Sequence, residues 1–174
     1  MPYTCRIYLA GPDIFYPENI DIGILKKDLC KVYGFEGIWP LDLLSSKDPR
    51  AIFMADLDAV RESAAVIANL TPWNGASADV GTAVEIGYAL GIGIPVFGYT
   101  HCAARYRQRV AQMNMLLPYL DNLLANVDNL MIDEAIHASG KYPIVIDEQG
   151  DHTNMHAFEQ CLGNARYQVL GRLS

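Results

Sequence analysis

Basic residues are scarce in this chain: 13 lysines and arginines stand against 20 aspartates and glutamates, a formal net charge of −7. Phosphodiester polymers are gripped by clustered Lys and Arg, so the deficit argues against a nucleic-acid polymer as partner. It leaves room for a small uncharged ligand. Cysteine is sparse too. Cys5, Cys30, Cys102 and Cys161 show no CxxC or other metal-type spacing, and isolated cysteines of this kind fit reduced thiols in a cytoplasmic protein, the expected location. Long apolar runs are missing: the longest, from about Val80 to Tyr99, is broken by Glu85, several glycines and Pro95, so no membrane span is expected. The beginning of the chain carries no basic-plus-apolar signal segment. Neither GxGxxG nor a P-loop occurs, which removes the usual cradles for dinucleotides and NTPs.

What is present is enough apolar material for a buried core. Hydrophobic residues make up 51% of 174 positions and charged residues only 19%, which suits one globular domain over residues 1–174. Cys5–Ala10 reads as a buried strand stopped by Gly11-Pro12. Asn19–Tyr33 has helical spacing, with Ile20, Ile24, Leu25, Leu29 and Val32 on one apolar face and Gly34 at its end. Strands are expected at Phe35–Trp39, Ala64–Leu70, Ile94–Tyr99 and Tyr142–Asp147. Helices are expected at Arg50–Glu62, Val80–Leu90, Asn129–Ser139 and His152–Leu170, and residues 101–128 read as an insertion or lid. Short apolar strands alternating with helices imply an α/β fold: a flavodoxin-like (Rossmann-like) five-stranded parallel sheet, helices on both faces, order 2-1-3-4-5. In such a sheet the ligand crevice opens at the carboxyl ends of strands 1 and 3. That rule selects the loops Gly11–Pro17 and Thr71–Asp79.

Glu85 is the only carboxylate between Asp79 and Asp121, inside the apolar stretch VGTAVEIGYALGIGIPVFG. Burying a carboxylate is costly without a partner or a task. Glu85 therefore reads either as a site residue or as part of the exposed stripe of an amphipathic helix, with small neighbours at Gly81 and Ala89 that leave room for a ligand. Asp79 reads as a helix N-cap that can also face the crevice. Asp56, in MADLDAV, reads as a surface carboxylate by pattern alone. Two carboxylates at a cleft suit glycosidic chemistry, in which one attacks the anomeric carbon while another group handles the leaving group's proton.

The segments IYLAGPDIF, DLDAVRESAAVIANLTP, DVGTAVEIGYALG and NLM occur in this order, and together they resemble the nucleoside 2-deoxyribosyltransferase family over residues 6 to about 132. The resemblance implies transfer of a 2-deoxyribosyl group between nucleobases, with retention, through a covalent ester on Glu85. It implies that Tyr8 holds Glu85 in place, that Asp79 binds sugar hydroxyls and that Asp56 contacts the base and moves its proton. Gly11 and Pro12 would shape the pocket floor and Phe15 would pack against the base. Asn129 and Met131 would be lent to the site of a neighbouring subunit, so a homo-oligomer, a dimer at least, is implied. The partners would be a 2′-deoxynucleoside and a free nucleobase, with no metal and no cofactor.

The nearest alternative is N-glycoside hydrolysis of a 2′-deoxynucleoside or of its 5′-monophosphate. The monophosphate enzymes carry a polar, glycine-rich segment after strand 1 where this chain has GPDIFYP. A non-catalytic nucleotide-binding or receiver-like module is the alternative from another class, but a receiver needs acidic residues at strand 1 and Cys5–Ala10 has none. His152 and His156 have an i, i+4 spacing without an evident third ligand. Arg105, Arg107 and Arg109 read as a solvated helix face, with phosphate binding the other option. Trp39 and Trp73 flank strand ends, and Trp73 lies in a predicted site loop.

Overall fold

A computed structural model describes residues 5–113 and 126–171. Five strands, β1 (Cys5–Ala10), β2 (Phe35–Ile38), β3 (Ala65–Asn69), β4 (Val96–Thr100) and β5 (Val145–Ile146), form one sheet. All pairings are parallel and the order is β2-β1-β3-β4-β5, as expected. Among the described residues six α-helices connect or follow them: α1 (Asn19–Val32), α2 (Pro49–Arg61), α3 (Val80–Gly91), α4 (Tyr106–Gln112), α5 (Leu130–Gly140) and α6 (His156–Ala165), the last continued by a π-helical turn over Arg166–Leu170. No described helix is long and apolar enough to cross a membrane.

Strand residues alternate between two layers, because successive side chains leave opposite faces of a pleated sheet. Ile7, Leu9, Ala65, Ile67, Phe97 and Tyr99 join Ile22, Cys30, Phe158 and Leu162 of α1 and α6 in one core. Tyr8, Ala10, Val66, Ala68 and Val96 join Val60, Ile86, Ala89 and Ile136 of α2, α3 and α5 in the other. The sheet is thus covered on both sides, which is why its strands read as nearly continuous apolar runs.

Four expectations need correction. On α1 the buried side is Ile22, Gly23, Lys26 and Cys30; Ile20, Ile24, Leu25 and Val32 are exposed, and of the expected face only Leu29 packs against the core. A tryptophan replaces aliphatic packing there, since Trp39 lies where a Cβ on Gly23 would meet its indole at 2.8 Å. The fifth strand shrinks to two residues: Val145 and Ile146 alone pair with Tyr99 and Thr100, and Pro143 has no N–H to offer a ladder. The last helix begins at His156 instead of His152. Asp151 accepts bonds from the Thr153 N–H and hydroxyl, and Asn154 accepts from the His156 N–H, so local side-chain bonds hold this stretch in turns. Arg109 is buried instead of solvated, for reasons given below. Gly34 does close α1, with φ +89°, a conformation that suits glycine.

Candidate active site

β1 delivers Tyr8 to the α2/α3 layer by alternation, where the residue is fully buried between β2 and β3. Its hydroxyl donates to Glu85 Oε1 at 2.6 Å, across 77 residues of sequence. The carboxyl of Asp56 on α2 stands near enough to the phenol to interact with it electrostatically. One hydroxyl from the sheet therefore meets two carboxylates from two helices.

Asp79 is the N-cap of α3 and accepts from the N–H groups of Gly81 (2.9 Å) and Thr82 (3.1 Å). Capping fixes where α3 starts and so where Glu85, in its second turn, stands against the sheet. Gly81 is exposed, but Ala89 packs in the core, so only the first of the two small neighbours leaves open space beside Glu85.

Among the described residues no ion pair reaches Glu85, Asp56 or Asp79. Burial is the main cause that pushes the Glu85 carboxyl up to about 7; the Tyr8 hydrogen bond works against it, and the charges of Asp56 and Asp79 add to it. Asp56 is raised as well, by burial first, with the Tyr8 hydroxyl opposing. The Tyr8 hydroxyl is driven far upward by burial and by Glu85, so it stays a proton donor. A partly buried carboxylate poised near neutrality beside other carboxylates is the kind of group that catalytic sites contain.

Gly11 and Pro12 are buried at the end of β1, and Pro12 opens a short 3-10 turn, Pro12–Phe15. Gly11 has φ +146°, and a Cβ there would lie 2.6 Å from the Asn69 Cβ. Only glycine allows β1 and β3 to end so close together. Phe15 is half exposed and stacks on Trp73, with ring centroids 5.2 Å apart and planes 16° apart. Tyr16 meets the same indole edge-on at 5.6 Å. The loops after β1 and β3 are thus joined by an aromatic contact where the switch-point rule puts the ligand.

Asn129 caps α5, accepting from the Met131 N–H at 3.0 Å, and Met131 is 76% exposed. Among the described residues no hydrogen bond links Asn129 to Tyr8, Glu85 or Asp56. Sequence reasoning missed the clasp beside it. Buried Asp128 accepts from the Ser77 hydroxyl and from the Ala78 N–H (2.9 Å). Arg109 reaches Asp128 at 3.4 Å and donates to the carbonyls of Ala76 (2.6 Å), Val127 (2.8 Å) and Ala104. These acceptors come from three separate loops, so no local pattern could mark Arg109 as buried. Its contacts tie the loop before Asp79 to the loop before Asn129. Residues 114–125 of the expected insertion lie outside the described residues.

His152 and His156 do not converge. His152 packs on Tyr16 and lies 3.6 Å from Glu18, while His156 pairs with Gln160. Among the described residues no group of three or more His, Cys, Asp or Glu is placed to hold a metal ion. Trp39 packs in the core beside α1, away from Trp73. A groove lined by Leu90, Ile94, Pro95, Ser139 and Lys141 opens at the amino ends of the strands; it contains none of the groups just described.

Comparison with known proteins meets this geometry from outside. A 2-desoxiribosyltransferase from Leishmania mexicana superposes with a TM-score of 0.64 and 25% identity, covering 91% of this chain and 97% of that one. A 2-deoxyribosyltransferase from Bacillus psychrosaccharolyticus, at 19% identity and TM-score 0.53, covers 76% of this chain and 82% of its own and shares the fold. An uncharacterised protein of Schizosaccharomyces pombe is 32% identical over 113 residues, 60% of this chain; the matched part is 54% of that relative, about half its length. Residues 7–155, which span Tyr8, Asp56, Asp79, Glu85 and Asn129 alike, match the family model described as nucleoside 2-deoxyribosyltransferase. The sheet order, the carboxylates at its switch point and this match agree: the chain belongs to the nucleoside 2-deoxyribosyltransferase family.

Proposed function

We propose that this chain transfers the 2-deoxyribosyl group from one nucleobase to another through a covalent intermediate on Glu85, with net retention at C1′. The observation that carries the reading is the 2.6 Å bond from Tyr8 to Glu85 Oε1. It orients the carboxylate and occupies one oxygen, leaving Oε2 to act as nucleophile. Glu85 attacks C1′ from the face opposite the base while the C1′–N bond breaks with oxocarbenium character. The departing base takes a proton from Asp56, whose affinity for protons is raised by burial. A second base then attacks C1′ of the ester from the face the first one left. Its proton returns to Asp56 and the Glu85 carboxylate is released, so both displacements balance and the kinetics are ping-pong.

The cation-like sugar gives Glu85 a positive charge that the free site lacks, which favours the ionised carboxylate when substrate is bound. A 2′-hydroxyl would crowd the nucleophile and withdraw charge from the transition state, so deoxyribose is the preferred sugar. Asp79 holds sugar hydroxyls, Gly11 and Pro12 form the floor, and Phe15 packs against the base. Asn129 and exposed Met131 serve the site of a neighbouring copy, which makes the enzyme a homo-oligomer. Four cysteines without disulfides suit a cytoplasmic role in nucleoside salvage.

The test mixes the protein with 2′-deoxyinosine and adenine and separates the products by chromatography. Formation of 2′-deoxyadenosine supports transfer. Free deoxyribose as the sole sugar product shows water to be the acceptor and replaces this reading with hydrolysis.

A further inference from the structure

The α1 layer holds a buried charge that the reaction above does not use. Lys26 Nζ lies 2.8 Å from Asp13 Oδ2, with side chains only 3% and 1% exposed. The ammonium sits among aromatic rings, 5.4 Å from the centroids of Tyr99 and Phe158 and 5.7 Å from that of Trp39. Both Asp13 oxygens accept from Asn69 Nδ2 at 3.0 Å. Asn69 Oδ1 accepts in turn from the Thr71 hydroxyl (2.6 Å) and N–H (3.0 Å). Thr71 Oγ1 accepts from the His101 N–H at 3.0 Å, and His101 Nδ1 is 3.0 Å from Asp147 Oδ2. The bonds run across the carboxyl ends of β1, β3, β4 and β5.

A buried ion pair is a poor way to gain stability alone, since well-packed apolar residues commonly do as well. What an apolar pair cannot supply is direction. Asp13 belongs to the Pro12–Phe15 turn, and Asn69 and Thr71 begin the loop that carries Trp73. Fixing Asp13 on Asn69 therefore fixes one wall of the crevice on the other. Gly11 records the same closeness, since a Cβ there would lie 2.8 Å from Asp13 Oδ2 as well. At the outer end of the two loops stand the stacked rings of Phe15 and Trp73.

We infer that Lys26 and Asp13 are positioning residues which, without touching substrate, set the spacing of the two loops that carry the stacked Phe15 and Trp73 rings, and so the affinity of the site for its nucleobase. That the ligand is a nucleobase rests on the function proposed above; the spacing does not. Lys26 acts by holding the Asp13 carboxylate in place against Asn69. The Tyr8–Glu85 pair lies in the opposite layer, so the chemical step is affected less than binding.

Two variants test this. Lys26→Met removes the cation at similar length, and Thr71→Val cuts the network further along without stranding a charge. In steady-state transfer from 2′-deoxyinosine to adenine, Lys26→Met should raise KM for adenine at least about tenfold and Thr71→Val about threefold, with kcat within about threefold of the parent. Acrylamide quenching of Trp73 emission, isolated by difference from a Trp73→Phe protein, should increase in both variants. Folded variants with KM within about twofold of the parent, or with kcat falling while KM holds, overturn the inference. If Lys26→Met does not fold, Thr71→Val decides alone. If the parent shows neither transfer nor hydrolysis, the functional reading fails by itself. The quenching arm still decides the network: unchanged Trp73 quenching in the variants overturns it.

Discussion

The two layers of the sheet each bury a carboxylate, and they treat it in opposite ways. In the α1/α6 layer Asp13 has a lysine at 2.8 Å and an asparagine at 3.0 Å. In the α2/α3 layer Glu85 has one phenol at 2.6 Å and two further carboxylates whose charges reach it. A carboxylate facing a counter-ion and an amide donor is a fixture, held in one place by both. One held only by a neutral donor, with like charges close by, stays reactive. Adjacent residues of one strand separate the two arrangements: Ile7 and Leu9 enter the first layer, Tyr8 and Ala10 the second.

The sharpest way to break the contrast is to delete the reactive carboxylate. Glu85→Ala should lower kcat on the order of 10³-fold or more in the deoxyinosine assay while leaving the fold intact by circular dichroism; full activity in this variant would sink the mechanism. The fixture should fail differently. Lys26→Met leaves Asp13 buried without its cation and should cost about 3–5 kcal/mol in urea unfolding, in contrast to the Glu85 deletion.

Stability against pH sharpens the comparison. The folded carboxyl of Glu85 titrates near 7, above its ordinary value of 4.5, so the folded state binds this proton more tightly than the unfolded chain. The stabilisation is complete below about 4.5 and disappears as pH rises through about 7, a change of roughly 1–3 kcal/mol for a partly exposed group. Thermal unfolding of Glu85→Gln should lack that part of the slope. The same titration should make kcat/KM fall as pH drops below about 7, because the nucleophile must be ionised.

Smaller effects lie outside both carboxylates. Asp79→Ala removes the α3 cap and should cost about 1 kcal/mol in urea unfolding, besides raising KM for the nucleoside. Ile24→Gln, on the exposed side of α1, should change stability by no more than about 0.5 kcal/mol; a loss of several times that would restore the apolar face expected from spacing.

Sheet order, the loops that end β1 and β3, and the unusual setting of Glu85 were legible in the sequence because each follows from a local pattern: short apolar runs, Gly-Pro and Asp-Val punctuation, and a lone acid in an apolar helix. The family resemblance supplied the partnership of Tyr8 with Glu85, which no spacing could reveal across 77 residues. The buried face of α1 was not legible. Ile20, Ile24 and Leu25 have the spacing of a core stripe, and nothing local says that Lys26 is neutralised by Asp13 and roofed by three aromatic rings from other elements. A lysine flanked at i−4 and i+4 by Ile22 and Cys30 was the available hint. Arg109 failed for the same reason, since its acceptors come from residues 76, 104 and 127–128. Apolar periodicity locates cores well where they are apolar, and it misplaces them where a charge has been matched from afar.

Tyr8 also serves as a built-in gauge. Its ring is a rigid strut anchored in the middle of the sheet, and its tip ends on a helix that packs over that sheet. Any slip of α3 relative to β1 must lengthen or shorten one short hydrogen bond to a carboxylate. The carboxylate stretching band of Glu85, isolated by isotope-edited infrared difference spectroscopy against Tyr8→Phe, would therefore report how substrate moves the helix against the sheet, with no label attached to the crevice.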